Sequence, residues 1–211
     1  HFDFSQTTAK YLHLGLPGIH VLLDQPHGSD ANGWVTVLRK ASSAGLLTNM
    51  ELPSLDSSIL APIVRPCLPH LDMIIVNDVE IGSLAGMETR QDGRTGWESC
   101  ERAARAVLDM GVRDLVVVHW PEGALAVGKD GVARRQASVD LPQSEVVSAN
   151  GAGDAFASGM LYGLHEGWAP ERALKLAHAN AACSLRSLST TGAIEPWQTS
   201  LALAEGWGWR R

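Results

Sequence analysis

The stretch "SANGAGDAFASGM", Ser148 to Met160, holds the residue types best suited to chemistry. Gly151 and Gly153 flank Ala152, and Asp154 follows at once. A helical pattern runs on from there. A helix N-terminus offers unpaired N–H groups and the positive end of the backbone dipole. Glycines at that point let an anion approach the backbone without side-chain obstruction. A carboxylate beside a bound anion is repulsive if it acts only as a ligand. It makes sense as a base that takes a proton from a nucleophilic hydroxyl. The amides of Gly151, Ala152 and Gly153 would then steady charge developing on a transferred phosphoryl group. A purely local reading stands beside this one, because an early helical Asp is favoured by the dipole alone and Gly-rich strand-to-helix turns are common. Dinucleotide binding fits less well: Phe156 stands where the third glycine of G-x-G-x-x-G belongs.

Such a loop needs a strand before it and a sheet beneath it. "KYLHLGL", "LLTNM", "DMIIVN" and "DLVVVHW" read as buried strands. "NGWVTVLRKASSAG" reads as a helix with Trp34, Val35, Leu38 and Ala41 on one face and Gly45 as its stop. "DVEIGSLAG" starts another directly after Asn77. "TGWESCERAARAVLDMG" reads as a helix with Thr95 and Glu98 at capping-box spacing and Gly111 at its end. "GALAVG" and the "KDG" turn suggest a hairpin. "SEVV" reads as a strand end before the opening motif. Two long helices close the chain, Gly151 to about Gly167 and Pro170 to about Leu188. Strand–helix alternation with continuous apolar strands predicts an α/β fold, a mostly parallel central sheet with helices on both faces. One α/β domain over residues 1–211 is the simplest organisation.

Composition sets further bounds. The 211 residues are 45% hydrophobic and 19% charged, with a formal net charge of -6. That is a soluble globular composition, with no basic block for nucleic acid and no run of 18 apolar residues to span a membrane. Arg134–Arg135 and Arg210–Arg211 are only pairs. Cys67, Cys100 and Cys183 are far apart and form no C-x-x-C, so reduced thiols in a cytoplasmic setting are expected. His20 and His27 are not spaced like a metal pair and read as loop histidines.

Three segments, in order, resemble the PfkB, or ribokinase-like, family of carbohydrate and nucleoside kinases. "NGAGDAFASGMLYGL" resembles its C-terminal signature. "IIVNDVEIGSLAG" resembles its Asn-x-x-Glu segment, with Asn77 and Glu80 matching. "ALKLAHANAACSLRSLSTTGAI" resembles the helix and loop that close the nucleotide site. The resemblance runs from about Tyr11 to about Pro196. It implies ATP-dependent transfer of a γ-phosphoryl group to a hydroxyl of a sugar or nucleoside. Asp154 then matches the general base, and Gly151, Ala152 and Gly153 the anion hole. Asn77 and Glu80 match the pair that organises Mg²⁺, water and phosphate. Gly123, Asn180, Thr190, Thr191 and Gly192 fall where the family holds the nucleotide. The residues themselves leave plainer roles open: Asn77 as a helix cap, Glu80 as an exposed first-turn acid, Asn180 on a solvated helix face.

The chain departs from the family pattern at three places. Ser148 and Ala149 stand where Asp-Thr is usual, and a serine hydroxyl is a weaker ligand for the monovalent cation that the Asp helps hold. Val118 to Gly123 replaces T-x-G-x-x-G with only Gly123 matching; Trp120 and His119 then read as packing and hydrogen-bonded structural residues. The N-terminal part and lid of the family, which carry a Gly-Gly segment and build the sugar site, have no counterpart expected among these 211 residues. The acceptor side is thus undefined, with "DQPHGSD" and Asn49 as its candidate border, and the family's lid-built dimer leaves a homodimer open in the complete protein. The competing functional class is a degenerate, non-catalytic module that binds nucleotide or sugar and regulates a partner.

Overall fold

The computed structural model describes residues 2–210; His1 and Arg211, the latter half of the C-terminal arginine pair, lie outside the described residues. The chain falls into two compact units. One runs up to Val118 and takes in Val127–Ala133. The other comprises His119–Ala126 and the residues from Arg134 on.

The first unit alternates strand and helix. β1 (Tyr11–Leu14), α1 (Gly33–Ser43), β2 (Leu47–Met50), α2 (Ser57–Val64), β3 (Met73–Asn77) and α3 (Asp78–Ala85) follow one another. A small hairpin, β4 (Arg90–Gln91) and β5 (Arg94–Thr95), leads into α4 (Trp97–Asp109). β1 and β2 pair in parallel with His13 opposite Asn49, and β2 pairs with β3 with Asn49 opposite Met73. Met73 to Val76 are all buried, the pattern of a strand covered on both faces. α1 starts where Asn32 Oδ1 accepts the Val35 N–H at 3.0 Å, and its Trp34, Leu38 and Ala41 are fully buried.

β6 (Leu115–Trp120), β7 (Gly123–Gly128) and β8 (Ala133–Ala137) complete a six-stranded sheet of order β1-β2-β3-β6-β7-β8. The second unit adds α5 (Ala152–His165), α6 (Pro170–Ser184) and α7 (Trp197–Trp207). The α/β class and mostly parallel sheet are as the sequence predicts. No helix among the described residues is long and apolar enough to cross a membrane.

Four local expectations are corrected. "SEVV" is no strand: Gln143–Glu145 form a short 3₁₀ turn after Pro142, and irregular chain follows. Thr95 does not cap α4, because it is paired in β5 with its hydroxyl on Asp78; Gly96 is the N-cap and makes no side-chain cap. α6 ends at Ser184 rather than near Leu188, since Leu185 closes it and its C=O accepts the N–H groups of Val147 and Ser148. A third closing helix, α7, follows Pro196.

α5 and α6 pack through small residues. A Cβ on Gly159 would lie 2.7 Å from Ala177 Cα, and one on Gly163 2.8 Å from Ala173 Cβ. Gly to Ala inside a helix is ordinarily favourable by about 1 kcal/mol. At Gly159 the neighbour is backbone and cannot yield, so Gly159→Ala should instead destabilise by roughly 1–3 kcal/mol. Gly206 in α7 meets nothing within 4 Å, so Gly206→Ala should be neutral or stabilising. Denaturant midpoints of the two variants check the contrast.

Candidate active site

In the second unit, the start of α5 is made by glycine for two reasons. Gly151 has φ 80° and ψ 2°, the left-handed region that side chains resist. A Cβ there would also lie 2.6 Å from Thr190 Cβ. The structure thus brings Gly151 together with the Thr190–Gly192 loop. No side chain caps the helix, so its first-turn amides are left for a ligand. The Ala152 N–H leans back to Ala149 O at 3.3 Å, which leaves the amides beyond it more open to an anion. Ser148 spends its hydroxyl locally, accepting the Asn150 N–H at 3.1 Å.

Asp154 lies in the first turn of α5 and is exposed, as is Gly153. Beneath them an aromatic column supports the turn. His119 Cε1 sits 3.6 Å from where a Gly153 Cβ would be, and its ring stacks on Phe156 at 4.6 Å. Phe156 in turn meets His178 edge-on at 5.0 Å. Thr190, Thr191 and Gly192 are exposed, with Ser189 Oγ accepting the Gly192 N–H at 3.2 Å. Gly123 opens β7 and is buried. Asn180 is not on a solvated face: it is 8% exposed, and its Oδ1 has no protein partner. Trp120 is core.

In the first unit, Asn77 and Glu80 form a capping box at the junction of β3 and α3. Asn77 Oδ1 accepts the Glu80 N–H at 2.9 Å. Glu80 Oε2 accepts the Asn77 N–H at 2.9 Å, and Oε1 accepts from Asn77 Nδ2 at 2.8 Å. Glu80 is therefore buried, not an exposed first-turn acid. Burial pushes its carboxyl up to about 7; the Glu51 and Asp78 charges add to this, and the Asn77 hydrogen bonds oppose it. Each carboxylate oxygen keeps a lone pair beyond its bond to Asn77.

At β1 and β2 the candidate Asn49 is joined by two polar residues that sequence reasoning missed, His13 and Glu51. Asn49 is fully buried and donates from Nδ2 to His13 Nδ1 at 2.7 Å. His13 Nε2 then donates to Glu51 Oε2 at 3.2 Å. Asn49 Oδ1 has no partner. In "DQPHGSD" the carboxylates serve the loop and its joint to α1. Asp24 accepts from Gly18 N, His20 N and Trp34 Nε1, and Asp30 from Thr36 and Arg39.

The donor sets fit the groups that the resemblance to the pfkB family implies. Among the described residues no cluster of three or more His, Cys, Asp or Glu could hold a metal outright. Mg²⁺ does not require one, because it binds through one or two carboxylates and keeps waters and phosphate oxygens. A buried carboxylate with spare lone pairs suits it. The uncapped amides of α5 suit phosphate, and the orphaned Asn180 Oδ1 suits a buried donor such as a base amino group.

A parallel α/β sheet with an uncapped glycine turn opening a helix defines a class of proteins that hold anions at helix N-termini. Residues 9–198 match the sequence profile of pfkB family carbohydrate kinases, and the chain belongs to that family. It is 35% identical over 89 residues to a 5-dehydro-2-deoxygluconokinase of Clostridium perfringens, covering 42% of this chain and 25% of that protein. It is 27% identical over 189 residues to the adenosine kinase of Saccharomyces cerevisiae, covering 89% of this chain and 52% of that one. Its fold is similar to that of Arabidopsis thaliana ribokinase complexed with ribose and ATP, with TM-score 0.68 and 22% identity over 82% of this chain and 52% of that chain. The chain spans between a quarter and about half of these relatives' lengths.

Proposed function

We propose that the protein is an ATP-dependent phosphotransferase that moves the γ-phosphoryl group to a hydroxyl of a sugar or related small molecule. One observation carries the reading: α5 opens on a left-handed, uncapped glycine with an exposed carboxylate in its first turn, in a chain of the pfkB family. Asp154 takes the proton from the attacking hydroxyl. The first-turn amides of Gly151, Ala152 and Gly153 stabilise charge on the transferred oxygens, Gly153 and its successor contributing most because the Ala152 N–H is partly engaged. Bound ATP supplies the phosphoryl group, and Mg²⁺ spreads its charge. Asn77 and Glu80 would organise Mg²⁺, water and phosphate. Gly123, Asn180, Thr190, Thr191 and Gly192 receive the nucleotide, Asn180 with its unpartnered acceptor and the threonines with exposed hydroxyls. Sugars and nucleosides are the acceptor classes supported by the relatives' names.

A second reading, nucleotide binding without turnover, has one observation in its favour. Ser148 stands where the family pattern has the Asp that helps hold an activating cation, and its hydroxyl already accepts the Asn150 N–H. ADP release by the full-length protein, with Mg·ATP and a panel of sugars and nucleosides, separates the two. The kinase reading expects release with one acceptor class. Binding of ATP with no release across the panel supports the second reading. No calorimetric heat with Mg·ATP rejects both.

A further inference from the structure

Asp78, the first residue of α3, stands between Asn77 and the rest of the helix. It is 1% exposed, an unusual place for a carboxylate. Three donors hold it. Arg90 Nε reaches Oδ2 at 2.6 Å and Arg90 Nη2 reaches Oδ1 at 3.0 Å, a two-pronged contact. Thr95 Oγ1 donates to Oδ2 as well. A fourth contact takes the backbone: Thr89 Oγ1 donates to Asp78 O at 2.7 Å.

The donors come from one small device. Arg90 and Thr95 are directly opposite in the antiparallel β4–β5 pair, so both present their side chains to the same face. Asp92 and Gly93 make the turn between them, with φ 51° and 76°, as a tight two-residue hairpin demands. Strands of two residues are not stable alone. Beyond its own turn, the hairpin is anchored where it meets Asp78 and where Thr89 O accepts from Gly96 N and Ser99 Oγ at the start of α4. The returning chain also presses on α3 itself: a Cβ on Gly82 would lie 2.7 Å from Met87 O.

We propose that the β4–β5 hairpin is a positioning element for the Asn77–Glu80 pair, with Arg90 and Thr95 gripping Asp78 so that the first turn of α3 has a single setting. The inference rests on the reading of Asn77 and Glu80 as the Mg²⁺-organising pair. The capping box fixes Asn77 and Glu80 to each other through three hydrogen bonds, but all three lie within one turn. They do not determine where that turn sits. The grip on Asp78 does, because it ties the turn to chain 12 to 17 residues further on. Arg90 touches neither member of the pair by any of these bonds and acts through Asp78.

The test is Mn²⁺ titration by electron paramagnetic resonance in the full-length protein, alongside kcat, KM for Mg·ATP and the melting temperature. Arg90→Ala should weaken Mn²⁺ binding about tenfold and lower kcat. Arg90→Lys, which keeps the charge but not the fork, should recover part of both. Thr95→Val removes one donor with little change of shape and should weaken Mn²⁺ binding several-fold; it serves as the probe if Arg90→Ala does not fold. Glu80→Gln is the benchmark. If it abolishes Mn²⁺ binding while Arg90→Ala and Thr95→Val merely lower the melting temperature, the hairpin is a structural staple and the proposal falls alone. If Glu80→Gln leaves Mn²⁺ binding unchanged, the metal role of the pair falls and takes the proposal with it.

Discussion

Asp154→Asn should lower kcat by about 10²–10⁴-fold while leaving ATP affinity intact or slightly tighter. Asparagine has nearly the shape of aspartate and still suits the first helical turn, so α5 should start as before. What it loses is the ability to accept a proton at a carboxylate. The groups proposed to receive the nucleotide, Thr190 against Gly151 and the buried Asn180, are untouched by the change. The sign of the affinity change follows from charge. An anion held at the amides of Gly153 and its neighbours lies close to the Asp154 carboxylate, and removing that charge relieves repulsion. Calorimetric titration of Mg·ATP and steady-state kinetics on the same preparation separate the two effects. Turnover within threefold of wild type would remove Asp154 from the role of base. Loss of ATP binding would instead make it a structural residue of the helix start.

The parts of this site that sequence exposed are those encoded within a few residues. The strand–turn–helix passages at Asn77 and Gly151 are each a local event. An apolar run ends, a polar cap or a left-handed glycine turns the chain, and a helix begins. The polar cluster at His13, Asn49 and Glu51 is different. It exists because β1 and β2 pair with His13 opposite Asn49, and no periodicity within either strand states that register. The burial of Asn180 is of the same kind, since it depends on which face of α6 the second unit covers.

The β4–β5 hairpin is encoded locally. "RQDGRT" carries the Asp-Gly pair that marks a tight hairpin, with Asp92 and Gly93 both left-handed. The Thr95–Glu98 spacing pointed to a capping box instead. The tertiary partner decides between these readings: buried Asp78 draws the Thr95 hydroxyl away from the helix it would cap. A stronger acceptor outcompeted a weaker one, and only the fold put it within reach.

The second large effect is acid lability of the second unit, through His178. Burial pushes this imidazole down to about 3, helped by the positive charge of nearby His119 and opposed by a hydrogen bond to the Gln136 backbone. Its Nε2 is buried without a partner, so a proton added there would have nothing to receive it. The folded chain therefore keeps His178 neutral, while the unfolded chain takes up a proton below its ordinary value of 6.5. A lowered imidazole means that stability is complete above pH 6.5 and is lost as pH falls toward 3. The slope approaches about 1.4 kcal/mol per pH unit, and the loss by pH 4.5 is roughly 2–3 kcal/mol. His178→Gln and His178→Leu carry no titrating group, and each should flatten urea-unfolding stability between pH 7 and 4.5 by about one proton relative to wild type. Carboxylates elsewhere contribute equally to all three proteins and cancel in the comparison. Equal slopes would show that His178 is protonated in the folded state. The consequence for function is spatial: His178 meets Phe156 of α5 edge-on and lies two residues from Asn180. Acid should loosen the helix that carries Asp154 together with the α6 segment that carries Asn180, the acceptor proposed for the nucleotide. Activity and stability should therefore fall together on the acid side, and the His178 variants that retain activity should hold it to lower pH than wild type.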